Sequence, residues 1–145
     1  MNKKVFLFFA SLFATFALLS QEITFRCEAP KVVGLNERFK VSFTINASNP
    51  QNFVAPTFQN VNILGGPSTS RSSSVSIING KRTDNSSTSF VFFLQSLTTG
   101  KIIIPSARVK VDGKLYTTKP VTITVEDNPS MAQRSQNSRS NNRNT

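Results

Sequence analysis

The sequence predicts an all-β chain, an immunoglobulin-like β-sandwich of about 7–9 short antiparallel strands. Three observations carry this. Apolar residues alternate with polar ones at period two along most of the chain. Turn signals built from Gly, Pro, Asn and Asp separate these runs every 8–12 residues or so. No sustained helical period appears after about the first 20 residues.

Met1, Asn2, Lys3 and Lys4 precede an apolar run from Val5 to Leu19. A charged start and so short a run match a secretory signal peptide over residues 1–20, since a membrane span needs about 20 apolar residues. Leu18-Leu19-Ser20 before Gln21 is an imperfect cleavage site, and an uncleaved anchor is the alternative. Arg26 stands before Cys27 where a lipid-attachment signal wants a small residue, so Cys27 is not read as a lipoprotein cysteine. The expected product is exported.

Ile23, Phe25 and Cys27 alternate into a first strand that Pro30 ends, and residues 34–37 supply a turn. Cys27 is the one cysteine, which excludes a disulfide within the domain. Its period-two neighbours read it as a small core hydrophobe, with a reactive or bridging thiol as the alternative. Phe39, Val41, Phe43 and Ile45 alternate with Lys40, Ser42 and Thr44 in the clearest half-buried strand. A polar loop follows, and the run from Phe53 to Phe58 carries Pro56, which suits an edge strand or irregular segment. Asn46 and Asn85 open Asn-Xaa-Ser triplets, of consequence only in a glycosylating secretory pathway.

Val61, Ile63 and Leu64 form a short strand running into Gly65-Gly66-Pro67, where a strand must bend or stop. Asn79-Gly80 is the strongest hairpin signal in the chain, because a type I′ turn needs positive φ at both central residues. Its arms run from about Ser68 to Ile78 and from about Thr83 to Ser96. On the second arm Phe90, Phe92 and Leu94 fall on one face, Val91 and Phe93 on the other, so a strand buried on both faces is expected. The next short strand, residues 101–104, stops at Pro105. Ala107, Val109 and Val111 alternate up to Asp112-Gly113, a second tight turn, and Leu115-Tyr116 returns. Val121, Ile123 and Val125 close the domain. The organisation is therefore a signal over 1–20, a sandwich over 21–128, and a disordered polar, basic linker or tail over 129–145 that is too poor in apolar side chains to order itself.

The sequence has no histidine, which removes the usual general base and the commonest metal ligand. The carboxylates are Glu22, Glu28, Glu37, Asp84, Asp112, Glu126 and Asp127, and no acid–base pair stands out among them. No catalytic, cofactor or metal residue is assigned, and the chain is read as a non-enzyme. Gly65-Gly66-Pro67-Ser68 lacks the spacing of a phosphate loop and reads as a strand break.

The formal charge is +10, of which residues 21–128 hold +5 from twelve basic and seven acidic side chains. A basic exported domain could meet acidic lipid head groups, polyanionic glycans or an acidic protein partner, and nucleic acid less well, but a solvated surface that happens to be basic is the preferred reading. The serine run around Arg71 is the least explained feature. Ser72, Ser73, Ser74, Val75 and Ser76 read either as an edge strand that docks a partner by strand addition or as a solvated hairpin arm.

An ordered set of motifs carries a family resemblance. They run from Ala29-Pro30-Lys-Val-Val-Gly34 and Phe39-Lys-Val41 through Phe53-Val-Ala-Pro56-Thr-Phe58 and Ile63-Leu-Gly-Gly-Pro67-Ser68. Ser72–Gly80, Gly100-Lys-Ile-Ile-Ile-Pro105, Val111-Asp-Gly113-Lys-Leu-Tyr116 and Lys119-Pro120-Val121 complete them. Over residues 21–127 the chain resembles the N-terminal domain of the BatD family, the bacterial oxygen-tolerance (aerotolerance) proteins. The resemblance implies periplasmic immunoglobulin-like domains tethered to the membrane through a later segment, so that this chain is a fragment or N-terminal portion. It also implies a non-catalytic part of an envelope complex, with membrane-anchored von Willebrand-type Bat proteins as partners and a MoxR-type ATPase indirectly. The alternative from another class is a carbohydrate- or polyanion-binding sandwich, poorly equipped for sugar stacking by its single Tyr and absent Trp.

Overall fold

The computed structural model describes residues 21–127. Ten strands form: β1 (Phe25–Glu28), β2 (Val32–Gly34), β3 (Arg38–Ile45), β4 (Gln51–Val54), β5 (Val61–Ile78), β6 (Lys81–Ser96), β7 (Gly100–Ile104), β8 (Arg108–Val111), β9 (Lys114–Thr117) and β10 (Val121–Glu126). They make one four-stranded sheet, β1-β3-β6-β5, and two three-stranded sheets, β2-β10-β7 and β4-β8-β9. Period-two alternation puts Phe39, Val41, Phe43 and Ile45 of β3 and Phe90, Phe92 and Leu94 of β6 on the inner face of the large sheet. Ile102, Ile104, Val109, Val111, Ile123 and Val125 come from the two smaller sheets to the same core. This is the sandwich that the alternation predicts.

Aromatic rings stitch the layers. Phe53 of β4 stacks on Phe90 with centroids 4.0 Å apart, and Phe58 meets Phe92 edge-on at 5.1 Å. Phe43 approaches Phe92 edge-on as well, at 6.0 Å. Such pairs add to simple area burial. Buried polar side chains are all satisfied among the described residues. Thr88 donates to the Ala47 carbonyl at 2.8 Å, Ser96 donates to the Gly34 carbonyl at 2.7 Å, and the Thr118 hydroxyl accepts from the Ala107 N–H at 2.8 Å.

Five expectations need correction. Ten strands form rather than 7–9, and the one the sequence hid is β2. It is three residues long and pairs in parallel with β10, so the sandwich is not wholly antiparallel. The Gly65-Gly66-Pro67 segment does not break the strand: β5 runs on through it, absorbing the irregularity as register shifts on either side of Gly65. The long hairpin strands, of 18 and 16 residues, are not short. Finally β6 is buried on one face only, since Phe93 is 49% exposed and Val91 half-buried. Nothing among the described residues covers the outer face of the large sheet there.

Both tight turns form as the sequence predicts. Asn79 and Gly80 have φ of 53° and 75°, Asp112 and Gly113 of 50° and 78°, the positive pair a type I′ turn requires. The expected signal over 1–20 and the tail over 129–145 lie outside the described residues.

Candidate functional site

The hairpin of β5 and β6 is much longer than the sandwich needs. β3 covers β6 only from Thr88 to Gln95, where Ile45 is its last partner. Beyond that, residues 72–78 and 81–87 form a two-stranded ribbon with no third strand. An isolated ribbon is marginal in water, so this arm depends on the sheet at its base. Ser48 and Asn49 lie against that base on the core side, lining with Asp84, Ser86 and Asp112 a polar cleft of about 280 Å³.

Register assigns each side chain to a face. Thr88 is buried and pairs with Arg71, so Arg71, Ser73, Val75 and Ile77 share the core-side face. Ser70, Ser72, Ser74 and Ser76 take the outer face, opposite Ser89, Ser87, Asn85 and Thr83. That face is a field of hydroxyls, and at its inner end Thr44 and Ser89 are bonded at 2.9 Å. Toward the tip the arm exposes apolar surface: Val75 is 58%, Ile77 70% and Ile78 68% exposed.

Register also decides which backbone groups are free. The two-residue turn is closed by Ile78 and Lys81, a pair that exchanges both its N–H···O bonds. Counting back, the even-numbered residues of β5 face β6. Thr69, Arg71, Ser73, Val75 and Ile77 then direct their N–H and C=O groups outward, along the edge. Of Ser72–Ser76, only Ser73 and Val75 offer backbone to a neighbour. Sequence reading marked the whole stretch and missed Thr69, Arg71 and Ile77, which parity counted from Asn79-Gly80 would have found.

The edges differ in how they are guarded. Exposed edges are ordinarily kept short or carry Lys, Pro or bulges. β1 has four residues with Arg26 and Glu28 and stops short of Pro30, β7 has Lys101 and is followed by Pro105, β9 has Lys114, and β4 carries a bulge. β2 is three residues long. The arm edge of β6 holds Lys81, Arg82 and Asp84, the latter two joined at 3.0 Å. From Ser68 to Ile78, β5 has no proline and a single charge, Arg71.

No group of three or more Cys, Asp or Glu side chains gathers among the described residues. Glu37 is spent accepting the Gly34 N–H, and Asp84 pairs with Arg82. Asn46 ties down the segment before β1, accepting from the Thr24 N–H at 2.6 Å and donating to the Glu22 carbonyl at 2.8 Å. Cys27 packs against the core, and burial first, then the neighbouring Glu28 charge, pushes its thiol up to about 11 from the ordinary 9.0. An unfolded thiol releases its proton near 9.0 while the folded one holds it to about 11, so this contribution to stability is lost as pH rises through that window. Iodoacetamide at pH 8 should accordingly alkylate native chain at least about tenfold more slowly than urea-unfolded chain, because thiolate is the reacting form. Equal rates would show Cys27 to be an accessible, ordinary thiol.

A search of curated proteins gave no match for the chain. A family model described as the BatD DUF11-like domain matches residues 28–125, from the end of β1 to the end of β10. With that match spanning most of its length, the chain belongs to the BatD family.

Proposed function

We propose that this domain is a non-catalytic, exported adaptor of the bacterial envelope, serving oxygen or stress tolerance by protein–protein binding. Its binding surface is the free edge of β5, which takes up a strand from another polypeptide. The observation that carries this is the unguarded edge from Ser68 to Ile78, beside guarded or very short edges elsewhere. Main-chain bonds supply affinity in strand addition, and alternate side chains supply selectivity. The reading includes export, a periplasmic setting, membrane tethering through a later segment and von Willebrand-type Bat partners, and what supports it is the leader-like start and the family resemblance.

The test exploits register. Proline at position 73 removes an outward N–H and leaves the β5–β6 ladder whole, whereas proline at 72 or 74 deletes a ladder bond. Ser73→Pro should therefore abolish capture of envelope partners and move stability by no more than about 0.5 kcal/mol. Ser72→Ala and Ser74→Ala should be equally quiet in stability and keep capture. Capture undiminished in Ser73→Pro would move binding to another surface.

A second reading has one observation behind it. Lys101, Arg108 and Lys110 on the smaller sheets and Lys119 between β9 and β10 are exposed, outside the one ion pair found among the described residues. A polyanion-binding module would use them. Heparin retention lost at moderate salt, and lost in Arg108→Ala with Lys110→Ala, is its signature.

A further inference from the structure

We propose that the strand accepted by this edge comes from a second copy of the chain, paired antiparallel about a two-fold axis at Ser73. This rests on reading the edge as a docking strand. The regular part of β5 is bounded by Pro67 at its bulged side and by Asn79 at the turn. Ser73 lies midway between them, so an antiparallel pairing centred there uses the whole unguarded window. No other register does.

In that pairing Ser73 faces Ser73 of the second copy, Arg71 faces Val75, and Thr69 faces Ile77. These five positions are the ones whose N–H and C=O groups point outward, so every pair can exchange both hydrogen bonds. An isologous interface requires such self-complementarity, and the side chains supply it too. On the outer face Ser72 meets Ser74, Ser70 meets Ser76, and Ser68 meets Ile78. Hydroxyl pairs across strands are favourable, and Ile78 gains a neighbour. On the core-side face Arg71 lies beside the second copy's Val75. One strand further, in the same row, is that copy's Asp84, the register partner of its Val75. Each Arg71 thus meets a carboxylate across the seam, twice by symmetry. The two Arg71 side chains start about 14 Å apart, four residues along the strand. That exceeds a screening length of about 8 Å at physiological salt. Ile77 and Val75, the exposed apolar residues of this face, come to lie over Thr69 and Arg71.

The register makes the test specific. In the full chain carrying Cys27→Ala, Ser73→Cys places two thiols on a directly opposed pair, with Cα atoms about 5.5 Å apart, inside disulfide range. Ser73→Cys should form a disulfide-linked dimer on the order of tenfold faster than Ser74→Cys, whose like position lies off the axis. Thr69→Cys and Ile77→Cys should cross-link when mixed and not singly. Sedimentation should show a concentration-dependent dimer for the unmodified chain and a monomer, folded by circular dichroism, for Ser73→Pro. Equal cross-linking at 73 and 74, or a chain monomeric at every concentration, overturns the proposal. If that monomer still loses partner capture on Ser73→Pro, the docking reading stands and only the second copy is wrong. If neither association nor capture responds to Ser73→Pro, both fall.

Discussion

Phe92→Ala should cost about 3–5 kcal/mol and leave the domain barely folded at 37 °C. Phe92 is 3% exposed, sits on β6 in the interior of the large sheet, and touches the rings of Phe43, Phe53 and Phe58. Phe58 comes from the loop after β4 and Phe53 from β4 itself, so one truncation loosens the joint between the layers. A cavity bounded by rings that are anchored on three different segments cannot collapse easily, and that sets the upper end of the range. Ordinary domains have only about 5–15 kcal/mol in hand. At about 5 °C per kcal/mol for a domain of this size, the melting temperature should fall by about 15 °C or more. A fall of less than about 5 °C would mean that the aromatic cluster repacks around the gap.

Gly66→Ala should be the most damaging change outside the core, at about 2–4 kcal/mol. Gly66 has φ of +105°, a conformation closed to L side chains. A Cβ there would stand 2.5 Å from the Val91 carbonyl oxygen and 3.0 Å from the Phe92 Cα. Both are backbone atoms of the neighbouring strand and cannot rotate aside. Gly65 provides the control, because nothing lies within 4 Å of where its Cβ would be. Gly65→Ala should be close to neutral by urea denaturation. Equal losses at both positions would show that the bulge, not the close approach, sets the requirement for glycine.

That same segment shows where sequence reasoning ran out. Gly65-Gly66-Pro67 has the composition of a break, and period counting cannot tell a break from a bulge. The difference lies in long-range pairing with Val91 and Phe93, which no local window contains. β2 escaped for a related reason. Three residues between Pro30 and a turn hold too little pattern, and their pairing partner is β10, at the far end of the domain. By contrast β3, the two type I′ turns and the closing strand were legible because each rests on local chemistry: alternation, or a positive-φ dipeptide. Phe93 misled because β-patterning reports only that a residue suits a pleated surface, not that anything covers it. The serine stretch was legible as exposed. Its directionality needed the turn and the register together.

The parallel pairing of β2 with β10 has a mechanical consequence. The Thr124 N–H donates to the Lys31 carbonyl and the Leu35 N–H to the Glu126 carbonyl, both at 2.9 Å, so bonds bracket the whole of this short contact. When two parallel strands are pulled apart from opposite ends of a chain, their bonds lie across the line of force. They bear the load together instead of opening one after another, as in a hairpin peeled from its mouth. Stretched between residues 25 and 126 in an optical trap, the domain should yield at a single high force, with β10 as the element that slips. Pulled instead across the β5–β6 hairpin, the same domain should unzip at a lower one. Loaded through the two ends of the domain, it would feel tension along the first of these directions, the one in which it is strong.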